Sequence, residues 1–173
     1  MKVLILAAGF GTRLQRDIRE CGTHKELENV PKPLLPVSGK PVISHWMEIL
    51  GTCPETGGDV YVVVNDANFG QFQEWAAEYP TVRLVSSGCS TNDTRPGAVA
   101  CIHIPVKHFG IQDHLLVIGG DTLFCEDFIL ADFLAAFRNS PAASSGGAFI
   151  PYYTCPDEGD NIATYSLTLY LVV

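Results

Sequence analysis

Residues 2–13 read KVLILAAGFGTR, and the fold turns on how that stretch divides. KVLIL at 2–6 is a short continuous apolar run, the pattern of a strand buried on both faces. It breaks at once into Ala7-Ala8-Gly9-Phe10-Gly11, where small residues let backbone N–H groups approach a ligand closely. Thr12 and Arg13 then add a hydroxyl and a fixed positive fork. A strand running into such a turn suggests a cradle for phosphate.

Downstream, strand-like and helix-like stretches alternate. GKPVISHWMEIL has helical period, with Pro41 near its start and Val42, Ile43, Trp46, Ile49 and Leu50 on one face. DVYVVVN at 59–65 is a second buried strand. NFGQFQEWAAEY is a helix with Phe69, Phe72, Trp75, Ala76 and Tyr79 inward, and TVRLVSS is a strand. AVACIHIPVKHF starts as helix, HLLVIGGD is a strand ending on a glycine pair and Asp121, and EDFILADFLAAFRN is an amphipathic helix. GGAFIPYY resumes strand. The polar stretch 15–30, QRDIRECGTHKELENV, reads as a long mobile loop with room for a helical turn. The alternation predicts an α/β fold with a mainly parallel sheet covered on both faces. Ligands of such sheets bind outside the carboxyl ends of the strands, where the Gly9–Arg13 loop and the Gly119–Asp121 turn both fall.

Bulk properties narrow the function. The chain has 173 residues, enough for one domain with a real core, and a net charge of −8 that argues against a nucleic-acid groove. Charge is uneven: residues 1–40 carry net +3 and residues 41–173 net −11, which suits a local anion site in an acidic body. No apolar run approaches the roughly 20 residues that span a bilayer, and the N-terminus lacks the features of a signal peptide. The expected location is cytoplasmic, with no membrane partner. The six cysteines form no CxxC pair and read as free thiols, Cys125 among them as a buried one. The five histidines do not cluster.

The opening loop is not a Walker A or dinucleotide-binding loop: both patterns require glycine at position 14, which is leucine. A second motif, PKPLLPVSGKP at 31–41, is stiff, extended and cationic. LAAGFGTRL, PKPLLPVSGKP and VIGGDTLF, in that order, resemble the sugar-phosphate nucleotidyltransferases, such as the glucose-1-phosphate thymidylyl- and uridylyltransferases. The likeness covers residues 2–125 well. It implies a Rossmann-like, GT-A-like three-layer fold with a mainly parallel mixed sheet, and transfer of a nucleoside monophosphate from a nucleoside triphosphate to a sugar 1-phosphate with release of pyrophosphate.

By that resemblance Leu6, Ala7, Ala8, Gly9, Gly11, Thr12 and Arg13 wrap the nucleotide, Arg13 and Lys32 act in catalysis, and Asp121 binds Mg²⁺. Asn92 and Gly97 fall where the family reads the base, although an Asx-type turn explains Asn92 equally well. Asp121 also suits a simple turn, and Lys40 is expected to be solvated. The resemblance leaves homo-oligomerisation open.

Two departures stand out. The span between Leu14 and Pro31 exceeds the family's usual connector and suits a lid or a partner site. The family's sugar-binding Glu and Lys and second metal-binding acid have no counterpart after residue 153. We therefore expect residues 1–173 to form a single domain that is incomplete after about residue 155. The rival expectation is a nucleotide-binding, catalytically impaired or regulatory isoform. A dinucleotide oxidoreductase is opposed by the missing third glycine. The apolar ending YSLTLYLVV reads as an unprotected edge.

Overall fold

The computed structural model describes residues 1–124, 128–145 and 148–149, together with the backbone of strands 152–156, 162–166 and 169–172. In chain order the elements are β1 (Lys2–Ala7), α1 (Thr12–Cys21), β2 (Pro36–Val37), β3 (Lys40–Pro41), α2 (Val42–Gly51), β4 (Val60–Val64), α3 (Phe69–Ala76) and β5 (Val82–Ser86). They continue with α4 (Ala98–Phe109), β6 (Leu115–Gly119), α5 (Leu130–Arg138), α6 (Ala142–Ser145), β7 (Ala148–Phe149), β8 (Tyr152–Pro156), β9 (Ile162–Ser166) and β10 (Leu169–Val172).

The central sheet runs β5-β4-β1-β6-β10-β7. β1 pairs in parallel with both β4 and β6, and β4 with β5, while β10 is antiparallel to β6 and β7. This is the expected mixed, mainly parallel sheet. Alternation along the strands sends Val3, Ile5, Val62 and Ile118 to one face and Leu4, Val63 and Val117 to the other. On the first face α2, α3 and α5 deliver Trp46, Phe72, Phe133 and Phe137. On the second, α4 packs through Cys101, Ile102 and Phe109. Three layers result because every central strand is apolar on both sides.

Three expectations need correction. The stretch from residue 15 is not a loop at its start: α1 extends to Cys21, made of good helix formers and closed by Gly22 in the left-handed conformation (φ 64°). Five of its ten residues are charged and only Gln15 and Ile18 are buried, so the helix is polar overall. Of the helix expected over 126–139, the described part runs from Leu130 to Arg138, with Phe128 and Ile129 outside it, while Glu126 and Asp127 lie outside the described residues. Residues 169–172 of the apolar ending do not form a sheet edge, since β10 lies between β6 and β7 with Leu169 opposite Ile118. The reading of Cys125 falls outside the described residues. Cys21, Cys53, Cys89 and Cys101 are free thiols. Among the described residues no helix is long and apolar enough to cross a membrane.

Candidate active site

β1 and β6 end side by side, with Leu6 in register with Gly119. That pairing brings the loop after β1 against the turn after β6. The joint is tight at Gly120, whose N–H donates to the Leu6 carbonyl at 2.9 Å. A Cβ there would stand 2.9 Å from the same oxygen, 3.2 Å from Ile5 Cγ2 and 3.3 Å from Pro33 Cγ. Gly120 is thus the place where the opening strand, the PKPLLP segment and the GGD turn meet, and only glycine fits. On the other side of the turn, Trp46 Nε1 donates to the Thr122 carbonyl at 2.7 Å.

A pocket of about 350 Å³ opens at this junction. Its walls include Leu6, Ala7, Gly9, Gly11, Thr12 and Arg13 from the opening loop, with Lys32, Asn92 and Asp121. All but two of the residues expected at the site therefore face one cavity. Ala8 packs instead toward the α4 side of the sheet, and Gly97 precedes the first residue of α4.

The loop ends in Gly11 at φ 61°, a left-handed conformation that costs other residues about 1–2 kcal/mol. α1 starts immediately after it, with no side-chain cap and no acid in its first turn. The first N–H groups of any helix lack intrahelical acceptors, and an uncapped start carries the positive end of the helix dipole. That end opens into the pocket and suits an anion.

Lys32 reaches the pocket from a short 3-10 turn, Lys32–Leu34, set by Pro31 and Pro33. Its stem runs past Gly11: a Cβ at Gly11 would stand 3.5 Å from Lys32 Cγ. Lys32 Nζ lies 3.8 Å from Asp121 Oδ2, with both side chains roughly half exposed. So loose a pair contributes about 0–1 kcal/mol and separates readily when a ligand enters. Arg13 is exposed and has no ion-pair partner among the described residues.

Lys32 is held from behind by the connector. Gln15 is buried in α1; its Nε2 donates to the Val30 carbonyl at 3.0 Å, and its Oε1 accepts the Asn29 N–H at 2.7 Å. Gln71 of α3 donates to the Asn29 carbonyl at 3.1 Å. The segment just before Pro31 is tied down, so the lid reading does not extend to it. Lys40 is paired rather than solvated: it binds Glu48, and that hydrogen bond holds the Glu48 carboxyl below its ordinary range.

Three further residues line the walls: Phe10 and Pro33, inside the two motifs, and Arg95, in the polar loop before α4. Arg95 was visible as one of the few cations in the acidic part of the chain. With it the walls carry three cations against one carboxylate, an electropositive pocket inside an acidic protein. A neighbouring hollow of about 330 Å³ shares Phe10, Thr12 and Asn92. Asn92 Oδ1 is buried and has no hydrogen-bond partner among the described residues. No group of three or more His, Cys, Asp or Glu side chains that could cage a metal occurs among the described residues. Asp121 alone still fits Mg²⁺, which commonly binds through one or two carboxylates, substrate phosphates and water.

Bifunctional protein GlmU of Methanococcus maripaludis strain C5 is 31% identical over 144 residues, 83% of this chain but 29% of that protein's length. The 2-C-methyl-D-erythritol 4-phosphate cytidylyltransferase of Bifidobacterium longum is 29% identical over 122 residues, 69% of this chain and 36% of its own. A solved Bacillus anthracis protein, described as a glucose-1-phosphate thymidylyltransferase, shares the fold at a TM-score of 0.71 and 19% identity. That match covers 99% of this chain and 71% of the other. The family model for the MobA-like NTP transferase domain matches residues 3–154, and the chain belongs to that family of nucleotidyltransferase enzymes.

Proposed function

We propose that this domain transfers a nucleoside monophosphate from a nucleoside triphosphate to a sugar 1-phosphate, with release of pyrophosphate. The observation that supports this most is the convergence of the opening loop, Lys32 and Asp121 on one electropositive pocket. In the reaction a phosphate oxygen of the acceptor bonds to the α-phosphorus. The bond from that phosphorus to the α,β-bridging oxygen breaks, and its electron pair leaves with pyrophosphate. The acceptor is the nucleophile, so the protein's task is positioning and charge stabilisation.

Each wall residue then has a physical role. The N–H groups of the loop and of the α1 start receive the outer phosphates. Arg13 balances the charge that builds on the departing pyrophosphate, and Lys32 meets the α-phosphate as a compact cation. The unused acceptor of Asn92 reads a donor on the base edge. Asp121 is the residue that would hold Mg²⁺, which supplies charge neutralisation on the phosphates when bound.

The relation to a 4-phosphate cytidylyltransferase makes polyol phosphates a second acceptor class to test. Calorimetric titration with each nucleoside triphosphate, with and without Mg²⁺, tests the first half of the reading. Pyrophosphate release across sugar 1-phosphates and polyol phosphates tests the second. We expect Mg²⁺-dependent binding of at least one triphosphate and turnover with one acceptor class. Failure to bind any triphosphate would overturn the reading.

A further inference from the structure

The carbonyl side of the opening loop is gripped by a residue that no motif marks. Asn65 follows β4 directly, is wholly buried, and stands at the end of a strand that is otherwise apolar. Its Nδ2 donates to the carbonyls of Ala8 at 3.2 Å and Gly9 at 3.3 Å. Its Oδ1 accepts the Asn68 N–H at 2.9 Å. The amide orientation is unambiguous, because two carbonyls can only accept and a backbone N–H can only donate.

In a trans peptide the C=O and the following N–H point in opposite directions. Holding the Ala8 and Gly9 carbonyls toward β4 therefore turns the Gly9 and Phe10 N–H groups away from it. Gly9 and Phe10 both line the 350 Å³ pocket. We infer that Asn65 is a positioning residue for the phosphate loop: it presents the loop's N–H groups to the triphosphate without touching it. The inference rests on the proposed nucleotide binding and adds a residue from outside every recognised motif. A buried amide costs stability unless it is bonded, and these three bonds use the Asn65 donors and acceptor on the loop and its neighbour alone.

Asn65→Asp is the discriminating variant. It keeps the acceptor for Asn68 N–H and, when ionised, loses both donors to the loop. A carboxyl buried against carbonyl oxygens is protonated at a higher pH than an exposed one, and its acid form donates again. The titratable groups that the surrounding hydrogen bonds bring in are Asp66, bonded to Ser86, and Cys89, whose carbonyl accepts the Asp66 N–H. Both are present in wild type and cancel in the ratio of variant to wild type.

The experiment measures triphosphate affinity at pH 8 and pH 5.5 for wild type, Asn65→Asp and Val62→Ala. Val62 is buried in β4 away from the loop and controls for lost stability. At pH 8 Asn65→Asp is expected to bind about tenfold more weakly or worse, and Val62→Ala to stay within about twofold of wild type. At pH 5.5 the Asn65→Asp deficit should shrink severalfold. Should Asn65→Asp fail to fold at pH 8, Asn65→Ser, with one hydroxyl donor, is expected to show the affinity loss without recovery at low pH. Wild-type affinity in a folded Asn65 variant at pH 8, or an equal loss in Val62→Ala, overturns the inference. Absence of triphosphate binding by wild type instead overturns the proposed function and, with it, this role.

Discussion

Replacing Gly120 with alanine should damage fold and site together. The added methyl meets the Leu6 carbonyl oxygen at 2.9 Å, Ile5 Cγ2 at 3.2 Å and Pro33 Cγ at 3.3 Å. The first contact is backbone and the third a stiff ring, so neither yields as a flexible side chain would. Overpacking of this kind costs about 1–3 kcal/mol. Relief by lifting the turn also strains the 2.9 Å bond from Gly120 N–H to Leu6, worth about 1 kcal/mol. A domain of this size loses roughly 2–4 °C of melting temperature per kcal/mol, so the Tm should fall by about 5–15 °C. The same movement carries Asp121 outward and presses on Pro33, beside Lys32. Affinity for a nucleoside triphosphate with Mg²⁺ should therefore fall by about tenfold, measured by calorimetry below both melting temperatures. A Gly120→Ala variant that melts within about 2 °C of wild type would refute the packing argument.

Gly9→Ala offers the converse, since no atom lies within 4 Å of the added Cβ. Stability by denaturant titration should change by less than about 0.5 kcal/mol while triphosphate affinity drops. Asp121→Asn should shift the Mg²⁺ titration of triphosphate binding to higher concentration, and superimposable Mg²⁺ curves would reduce Asp121 to a turn residue. Gln15→Ala strips partners from the Val30 carbonyl and the Asn29 N–H and should cost roughly 1–3 kcal/mol in urea unfolding. Cys21 is exposed, whereas burial and then the nearby Cys89 push the Cys101 thiol up, so alkylation should label Cys21 first and Cys101 only on unfolding.

Most of the parallel sheet was legible because β1, β4 and β6 are continuous apolar runs with few alternative explanations. α1 was not, since five of its ten residues are charged and the segment is polar overall. Gly22, followed as a left-handed C-cap, was the signal that went unread. β10 could not be placed from local pattern, because its short apolar run reads the same for an edge strand and for an inner strand between β6 and β7. The same division holds at the site. The opening loop and Asp121 were visible at strand ends and Lys32 in the proline-rich segment, and the fold brings them to one pocket. Asn65 joins them only through tertiary placement, which spacing does not encode.

The two grips on Asn29 have a consequence for how the chain can vary in length. Its N–H is held from α1 by Gln15 and its carbonyl from α3 by Gln71, immediately upstream of Pro31 and Lys32. Residues 22–26, between the end of α1 and these grips, are all exposed. Doubling the length of such a segment costs only about 0.6 kcal/mol of closure entropy. Residues added or lost there end at a fixed anchor and do not propagate to Lys32. The connector is thus a place where the chain can take on new surface while the cation at the pocket stays where it is.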